Sequence, residues 1–216
     1  LYVKENKIDL KAPAEEIRKA FLTGSMPKEL HVTLLEYYIG IGEGERIAVR
    51  SSATAEDLED ASFAGQQETY LNVRGEEELT EAVKRCYASL WGDRAVSYRR
   101  EKGYEDENVA LAVVIQKMVE SETAGVVFTI NPASGKKEEM LINASYGLGE
   151  SVVSGVVSPD ELVCDRLGNV IKCQIGAKET QVVYGEKQTV TVPVAEGKRS
   201  RLSLSDEQIR KLTETA

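Results

Sequence analysis

Cysteine, histidine and long apolar segments are scarce in this chain, and their scarcity excludes several classes of protein. The 216 residues include three cysteines and one histidine. Cys86, Cys164 and Cys173 are odd in number and lack ligand-like spacing, which argues against a disulfide framework or a zinc site and favours a reducing cytoplasm. No stretch reaches the length of apolar sequence that a membrane span needs, so we expect no membrane partner.

Positive charge is also in short supply. Lysine and arginine number 27 against 36 aspartate and glutamate residues, which gives a net charge of −9. A chain without a face-wide cationic excess has little means of releasing counterions from a nucleic acid, so we expect no nucleic-acid partner. A site for a phosphate group must therefore be locally basic. At 42% hydrophobic residues the chain has the composition of an ordinary folded protein with one good core or two small ones.

A polar segment, residues 50–69, follows an apolar strand-like run and is the first candidate for such a site. Arg50 offers a planar fork of donors that keeps its charge and suits phosphate oxygens. Gly65 allows backbone N–H groups to come close to a ligand, and Gln66, Gln67 and Thr69 add polar groups. This chemistry is typical of a loop that holds a polyphosphate.

Two plainer interpretations of the segment remain open. The run that begins at Thr54 also resembles a helix start with its cap, followed by a polar surface turn. Separately, if Arg50 is only structural, it pairs with Glu56 or Asp57.

Two further motifs carry groups suited to a nucleotide. Residues 114–119 form a strand-like run in which Gln116 supplies a donor and an acceptor and Met118 a polarizable side chain for an aromatic ring. Residues 147–150, Gly-Leu-Gly-Glu, allow a close backbone approach and then present the carboxylate of Glu150. The alternatives are an ordinary core strand for the first motif and a plain turn before a helix for the second.

These blocks, with a fourth at 125–132, resemble the nucleotide-binding domain shared by phosphoenolpyruvate synthases and pyruvate, phosphate dikinases, and they cover about 47–160. The resemblance implies an α/β (α+β) fold of the ATP-grasp type, with two lobes of mixed or antiparallel sheets flanked by helices. We expect the lobes at 1–105 and 106–216. The chain begins and ends inside elements, so we expect the fold to be incomplete at both ends.

The resemblance also implies roles for individual residues. Arg50 would contact the terminal phosphates and stabilise the transferring phosphoryl group, beneath a loop that contains Gly65, Gln66, Gln67 and Thr69. Gln116, Lys117, Met118 and Val119 would form the strand that offers backbone groups to the purine. Glu150 would bind a ribose hydroxyl or a bridging cation. Asn131 and Lys178 match family positions too, although a turn and a surface position, respectively, also explain them.

By the same resemblance the ligands are ATP and Mg²⁺, with the carboxylates for the metal expected outside this chain. The partners are the phosphohistidine and pyruvate-binding domains of a longer protein. His31 lies on a predicted amphipathic helix and lacks the context of a phosphorylated histidine, so we expect it to be structural. Rifamycin-type antibiotic phosphotransferases share the blocks and are the alternative. A second alternative is a stand-alone module that binds adenine nucleotides without catalysis.

Periodicity and turn signals predict the local structure. Helices are predicted at 13–22, 27–38, 76–91 and 93–102 and from 205 onward. Strands are predicted at 46–50, 68–73, 109–118, 125–130, 139–144, 161–165, 170–175 and 189–194, with a hairpin turn at 166–169.

Overall fold

The computed structural model describes residues 11–53, 57–58, 61–62, 68–103, 109–186 and 188–216. The chain forms two compact units, Leu1–Met118 and Val119–Ala216. The predicted lobes divide earlier, at 105/106. The difference arises because the strand at Leu111–Lys117 pairs along the full length of a strand in the first unit. The assignment of the two lobes stays a prediction.

The helices are α1 (Lys11–Thr23), α2 (Lys28–Ile41), α3 (Gly75–Ser89), α4 (Asp93–Glu101), α5 (Glu150–Val153), α6 (Glu196–Arg199) and α7 (Asp206–Thr215). The strands are β1 (Ile47–Ala53), β2 (Asp57–Leu58), β3 (Ala61–Ser62), β4 (Thr69–Val73), β5 (Leu111–Lys117), β6 (Thr123–Phe128), β7 (Glu139–Tyr146), β8 (Asp160–Asp165), β9 (Val170–Gln174), β10 (Thr180–Tyr184) and β11 (Thr189–Pro193).

The first unit is built on a three-stranded antiparallel sheet in the order β4-β1-β5. Successive side chains of a strand point to opposite faces, so Ile47 and Val49 share one face of the sheet and Ala48 and Arg50 share the other. Ile47 and Val49 of the central strand are fully buried and join a core cluster with Leu79 and Val83 of α3 and Leu34 of α2. The core therefore covers the face that carries Ile47 and Val49, and Arg50, Thr69 and Gln116 are exposed on the other.

An extra residue in β4 disturbs the pairing at one edge of this sheet. Ile47 lies opposite Val73 and Val49 lies opposite Tyr70, so three steps along β4 match two along β1. Asn72 occupies the bulge with a φ of 63°, a left-handed conformation that asparagine tolerates better than most residues. The bulge restores the inward orientation of Val73 at the end of the strand.

The second unit contains a four-stranded antiparallel sheet in the order β6-β7-β8-β9 and a separate hairpin of β10 and β11. Ile142 of β7 and Leu162 of β8 pack with Ile209 of α7. A capping box begins α7, since the Ser205 hydroxyl accepts from the Gln208 N–H while the Gln208 side chain accepts from the Ser205 N–H. These contacts fix the C-terminal helix on the sheet.

The predicted fold class is confirmed, since helices accompany antiparallel sheets in both units. Most predicted elements appear within a few residues of their expected bounds. The strand β10 was not predicted, because the polar residues Glu179, Thr180 and Gln181 precede its short apolar part and weaken the strand pattern. Within the described ranges, no helix combines the length and the apolar character required to cross a lipid bilayer.

Candidate functional site

Three of the predicted site residues share the polar face of the first sheet. Arg50 lies opposite Thr69 of β4 and opposite Val114 of β5, and Gln116 lies opposite Ala48. Residues directly opposite each other in an antiparallel sheet point to the same face. The side chains of Arg50, Thr69 and Gln116 are all exposed. The register thus brings a guanidinium, a hydroxyl and an amide to one solvent-facing surface.

The pattern of buried and exposed positions in β1 sets the direction of the Arg50 side chain. Ile47 and Val49 are both fully buried on the core face, which directs Arg50, the next residue, to the opposite face, where it is exposed. Among the described residues, the Arg50 guanidinium has no hydrogen bond or ion pair. The side chains of Glu56 and Asp57, its alternative partners, lie outside the described set, as do Gly65, Gln66 and Gln67 of the predicted loop.

Among the described strands, β5 lies at an edge of its sheet and presents the backbone of every second residue to that edge. The Met118 N–H donates to the Arg46 carbonyl at 2.8 Å, which makes Met118 and Arg46 a hydrogen-bonded pair. Hydrogen-bonded and non-bonded pairs alternate along an antiparallel ladder. The N–H and C=O groups of Lys117 and Ile115 therefore point away from β1. The Lys117 side chain forms an ion pair with Glu45, at 2.8 Å between Nζ and Oε1.

In the second unit, the backbone carbonyl oxygen of Val119 accepts two hydrogen bonds. It accepts a hydrogen bond from the Ser121 N–H at 2.9 Å and another from the Tyr184 hydroxyl at 3.0 Å. The Val119 side chain is 72% exposed. The Ser121 hydroxyl donates in turn to the Gly147 carbonyl at 3.1 Å. A short network therefore connects Val119 to the predicted Gly-Leu-Gly-Glu motif.

Glycine is required at position 147 by both conformation and space. Its φ is 82°, and a Cβ there would lie 2.3 Å from the Val182 carbonyl oxygen. The close approach allows the Leu148 N–H to donate to that same oxygen at 2.8 Å. The motif ends at Glu150, the first residue of α5, whose exposed carboxylate accepts from the Thr189 hydroxyl at 3.3 Å. The hairpin β10–β11 thus contacts the motif at Gly147 and at Glu150.

Lys178 has a different environment from the one expected. The surface explanation is wrong, because Lys178 is fully buried and its ammonium pairs with the equally buried Asp160. The Asp160 carboxylate also accepts from the Gly176 N–H at 2.9 Å and from the Ser203 N–H and hydroxyl at 2.7 Å each. The pair compensates its own charges and joins three segments of the second unit.

Asn131 and His31 have local partners in the structure. The Asn131 side chain accepts from the Ala133 N–H and donates to Glu139 at 3.0 Å each, which stabilises a turn. Lys136 also bonds Glu139 and holds the pKa of that carboxyl below its usual value. His31 lies 3.3 Å from Glu76 on the surface of the first unit, as its helix context predicted.

Two residues of this region were not found by sequence reasoning. Tyr184 and Thr189 lie on either side of the turn of the β10–β11 hairpin, and the first of these strands was missed. The run Val182-Val-Tyr184 followed by Gly185 and a second β-branched run is the hairpin signal that was available. Among the described residues, no three His, Cys, Asp or Glu side chains form a group that could hold a metal ion.

Residues 2–216 match the family model described as "Pyruvate phosphate dikinase, AMP/ATP-binding domain". Because the match spans almost the whole sequence, the chain belongs to this family of AMP/ATP-binding domains.

Curated relatives carry more specific names. The chain is 52% identical over 172 residues to the "Probable phosphoenolpyruvate synthase" of Archaeoglobus fulgidus, which covers 79% of this chain and 23% of the relative. It is 44% identical over 206 residues to the protein of that name in Methanocaldococcus jannaschii, covering 92% of this chain and 17% of the relative. With the "Phosphoenolpyruvate synthase" of Aquifex aeolicus it shares 40% identity over 219 residues, covering 94% and 26%. The chain thus spans about a quarter or less of the length of these relatives.

Proposed function

We propose that this chain is the ATP-binding part of a phosphoenolpyruvate synthase-like phosphotransferase. In the proposed reaction, ATP phosphorylates a histidine in another domain, the phosphohistidine passes its phosphoryl group to pyruvate, and water takes up the other phosphate. The products are phosphoenolpyruvate, AMP and inorganic phosphate. The acceptor histidine and the pyruvate site would belong to further domains, so the 216 residues alone would not turn over.

The observation that carries this proposal is the exposed Arg50 guanidinium on the polar sheet face beside Thr69. Phosphoryl transfer depends on positioning and on fixed charge near the phosphate oxygens rather than on covalent chemistry by the protein. Arg50 offers a permanent charge and two parallel donors, which match phosphate geometry. Its backbone is held on both sides by neighbouring strands, so the cation is anchored in a rigid element.

The purine would lie along residues 116–119. Lys117 turns its backbone N–H and C=O toward the free edge of the sheet, where a base edge can bond to them. The half-buried Met118 offers a polarizable contact for the ring, and Gln116 adds a side-chain donor and acceptor on the polar face. We further propose that Gly65, Gln66 and Gln67 belong to the loop that covers the phosphates.

Glu150 suits a ribose hydroxyl or a cation that accompanies the phosphates. Its carboxylate is exposed and oriented by Thr189, and carboxylate oxygens are ligands that Mg²⁺ prefers. One carboxylate with substrate phosphates is a typical environment for this ion, which would neutralise charge on the phosphate oxygens. We assign Glu150 to the ligand without choosing between these roles, and we place the remaining metal carboxylates outside this chain.

Pyruvate is the proposed acceptor rather than an antibiotic hydroxyl. The curated relatives described above are named phosphoenolpyruvate synthases, which favours pyruvate as the acceptor. The three cysteines are free thiols, and this fits the reducing cytoplasm that we propose as the location.

Calorimetric titration with ATP and with AMP in the presence of Mg²⁺ tests the assignment of Arg50. Because charge-assisted hydrogen bonds contribute about 1.5–3 kcal/mol, Arg50→Ala should weaken ATP binding by about 10- to 150-fold. AMP binding should change little, since AMP lacks the terminal phosphates. Arg94→Ala, which removes an exposed arginine from α4, is the matched control. If the ratio of the two affinities is the same in Arg50→Ala as in the unmutated protein, Arg50 does not contact the terminal phosphates.

A further inference from the structure

We propose that the first unit contains a second ligand site, which binds a free α-amino acid with an apolar side chain in a cavity between α1, α3 and β4. The cavity has a volume of about 260 Å³. Pockets for drug-sized ligands typically measure about 300–1,000 Å³, so this cavity suits a small metabolite. Its lining includes Arg18 and Leu22 of α1, Arg85 and Ala88 of α3, and Glu68 and Tyr70 at β4.

The cavity lies on the side of β4 that faces away from Arg50. Tyr70 is opposite the buried Val49, whereas Thr69 is opposite the exposed Arg50. Because side chains alternate along an extended chain, Glu68 and Tyr70 point away from the surface that carries Thr69, and both line the cavity. The amino-acid site is therefore separate from the candidate nucleotide site, and the inference does not depend on the proposed function.

Contacts between the two helices hold the walls of the cavity in place. Phe21 of α1 stacks on Tyr87 of α3, with ring centroids 6.1 Å apart and planes inclined by 19°. At the end of α3, the hydroxyl of the buried Ser89 donates to the Cys86 carbonyl at 2.7 Å. The cavity is therefore formed by packed elements before any ligand is present, as is usual for small-molecule sites.

Tyr70 contacts one cation and one anion of the cavity with different parts of its side chain. The Arg85 guanidinium lies over the Tyr70 ring, 5.8 Å from its centroid, and the Tyr70 hydroxyl donates to Oε2 of Glu68. Arg85 forms its ion pair with Glu81, at 2.9 Å between Nε and Oε1. Within the described part of the chain, the Glu68 carboxylate has no ion pair. The cavity thus presents a guanidinium and a carboxylate that do not pair with each other.

The two arginines can bind a carboxylate without disturbing the fold. Arg85 uses Nε for Glu81, which leaves its two terminal nitrogens for a ligand. Arg18 lies 3.7 Å from Glu15, farther than a hydrogen bond. Both ion pairs are between exposed side chains of a single helix, and such pairs contribute little to stability. A ligand can therefore displace them at low cost.

A ligand with charges of both signs satisfies this lining, whereas a simple anion or cation does not. An anion held by Arg18 and Arg85 would lie near Glu68, and a cation held by Glu68 would lie near the arginines, which is unfavourable in either case. An α-amino acid places a carboxylate for a planar guanidinium and an ammonium for Glu68 on the same carbon atom. Its side chain would contact the apolar part of the lining, Leu22 and the buried Ala88, which favours an apolar amino acid.

Titration of the protein with L-alanine, L-valine and L-leucine, followed by saturation-transfer NMR on the ligand, tests the site. We expect at least one of the three to bind. The analogues without one charged group should bind about 10- to 150-fold more weakly, because each lacks one charge-assisted interaction. For L-leucine these analogues are isocaproate, which lacks the ammonium, and isoamylamine, which lacks the carboxylate. If none of the three amino acids binds, or if the analogues bind as tightly, the inference is wrong.

Glu68→Gln locates the ammonium of the ligand. This variant keeps the shape of the side chain and removes its charge, so the preference for L-leucine over isocaproate, expressed as the ratio of the two Kd values, should fall about tenfold or more. Because both ligands are measured on the same variant, a general loss of stability does not alter the ratio. Glu77→Gln, which removes an exposed carboxylate of α3, is the matched control. An unchanged ratio in Glu68→Gln would overturn the inference.

Arg85→Gln locates the carboxylate in the same way. The preference for L-leucine over isoamylamine should fall in this variant and stay unchanged in Arg94→Gln, which removes an exposed arginine of α4. Equal preferences in the two variants would place the ligand outside the cavity and contradict the inference. No nucleotide is present in these titrations, so their outcome and that of the ATP titration of Arg50→Ala are independent.

Discussion

The buried pair of Asp160 and Lys178 makes a stability prediction that can be worked out in detail. Both side chains are almost completely enclosed, and the carboxylate accepts three hydrogen bonds besides that of the ammonium. Removal of one partner leaves a buried charge uncompensated, which costs about 3–5 kcal/mol. A domain is typically stable by about 5–15 kcal/mol, so Asp160→Asn should lose a large part of the stability of the second unit.

The two halves of the pair should respond differently. Lys178→Met leaves a carboxylate that Gly176 and Ser203 still solvate with three donors, so we expect a smaller loss than in Asp160→Asn. The double variant Asp160→Leu with Lys178→Met removes both charges and should recover part of the loss. Full recovery is not expected, because the donors of Ser203 are left without an acceptor.

Urea denaturation followed by far-ultraviolet circular dichroism measures these differences, and hydrogen exchange locates them. Glu161→Gln is the control, since Glu161 is exposed and lies 3.7 Å from Lys172, a surface pair expected to contribute about 0–1 kcal/mol. Protection should fall first around 158–182 and near Ser203. A loss below about 1 kcal/mol in Asp160→Asn would refute the reasoning, because a charge left truly buried and unpaired costs more.

Two further predictions concern backbone space and thiol reactivity. Gly147→Ala should destabilise the protein by about 1–3 kcal/mol in urea denaturation, because its Cβ would lie 2.3 Å from the Val182 oxygen. Gly155→Ala, which shares a positive φ but has open space, should lose less, and equal losses would rule out the contact as the cause. Burial raises the pKa of Cys86 to about 12, so almost no thiolate forms at pH 8, and iodoacetamide should modify the exposed Cys173 first. Mass spectrometry checks this order, and equally fast modification of Cys86 would contradict it.

The elements with strong local signals could be predicted from the sequence. The turn after β8 is one example, since Asp165 accepts from the N–H groups of Leu167 and Asn169, and Gly168 supplies the positive φ. The sequence also suffices to place Arg50 and Val49 on opposite faces of β1, because side chains alternate between the two faces of a strand. These features depend on residues within a few positions of each other.

The features that escaped prediction depend on distant partners. Lys178 is buried only because Asp160, eighteen positions earlier, supplies a countercharge that a sequence pattern does not reveal. Likewise, Tyr184 reaches a carbonyl 65 positions earlier in the chain, and Thr189 reaches a carboxylate 39 positions earlier. Side-chain hydrogen bonds of this range leave no periodic signal, so these contacts appear only in the fold.

In the sheet of the first unit, one strand, β1, carries both core residues and the exposed Arg50. A one-residue slip of β1 against its neighbours would turn Arg50 into the core and expose Ile47 and Val49. Insertions or deletions within this strand are therefore expected to abolish folding and, under the proposed function, phosphate binding together. Point substitutions of the exposed side chains on the other face, by contrast, leave the core unchanged. Under the proposed function, variation in ligand binding should accordingly arise by substitution at Arg50, Thr69 and Gln116, and not by changes in the length of β1.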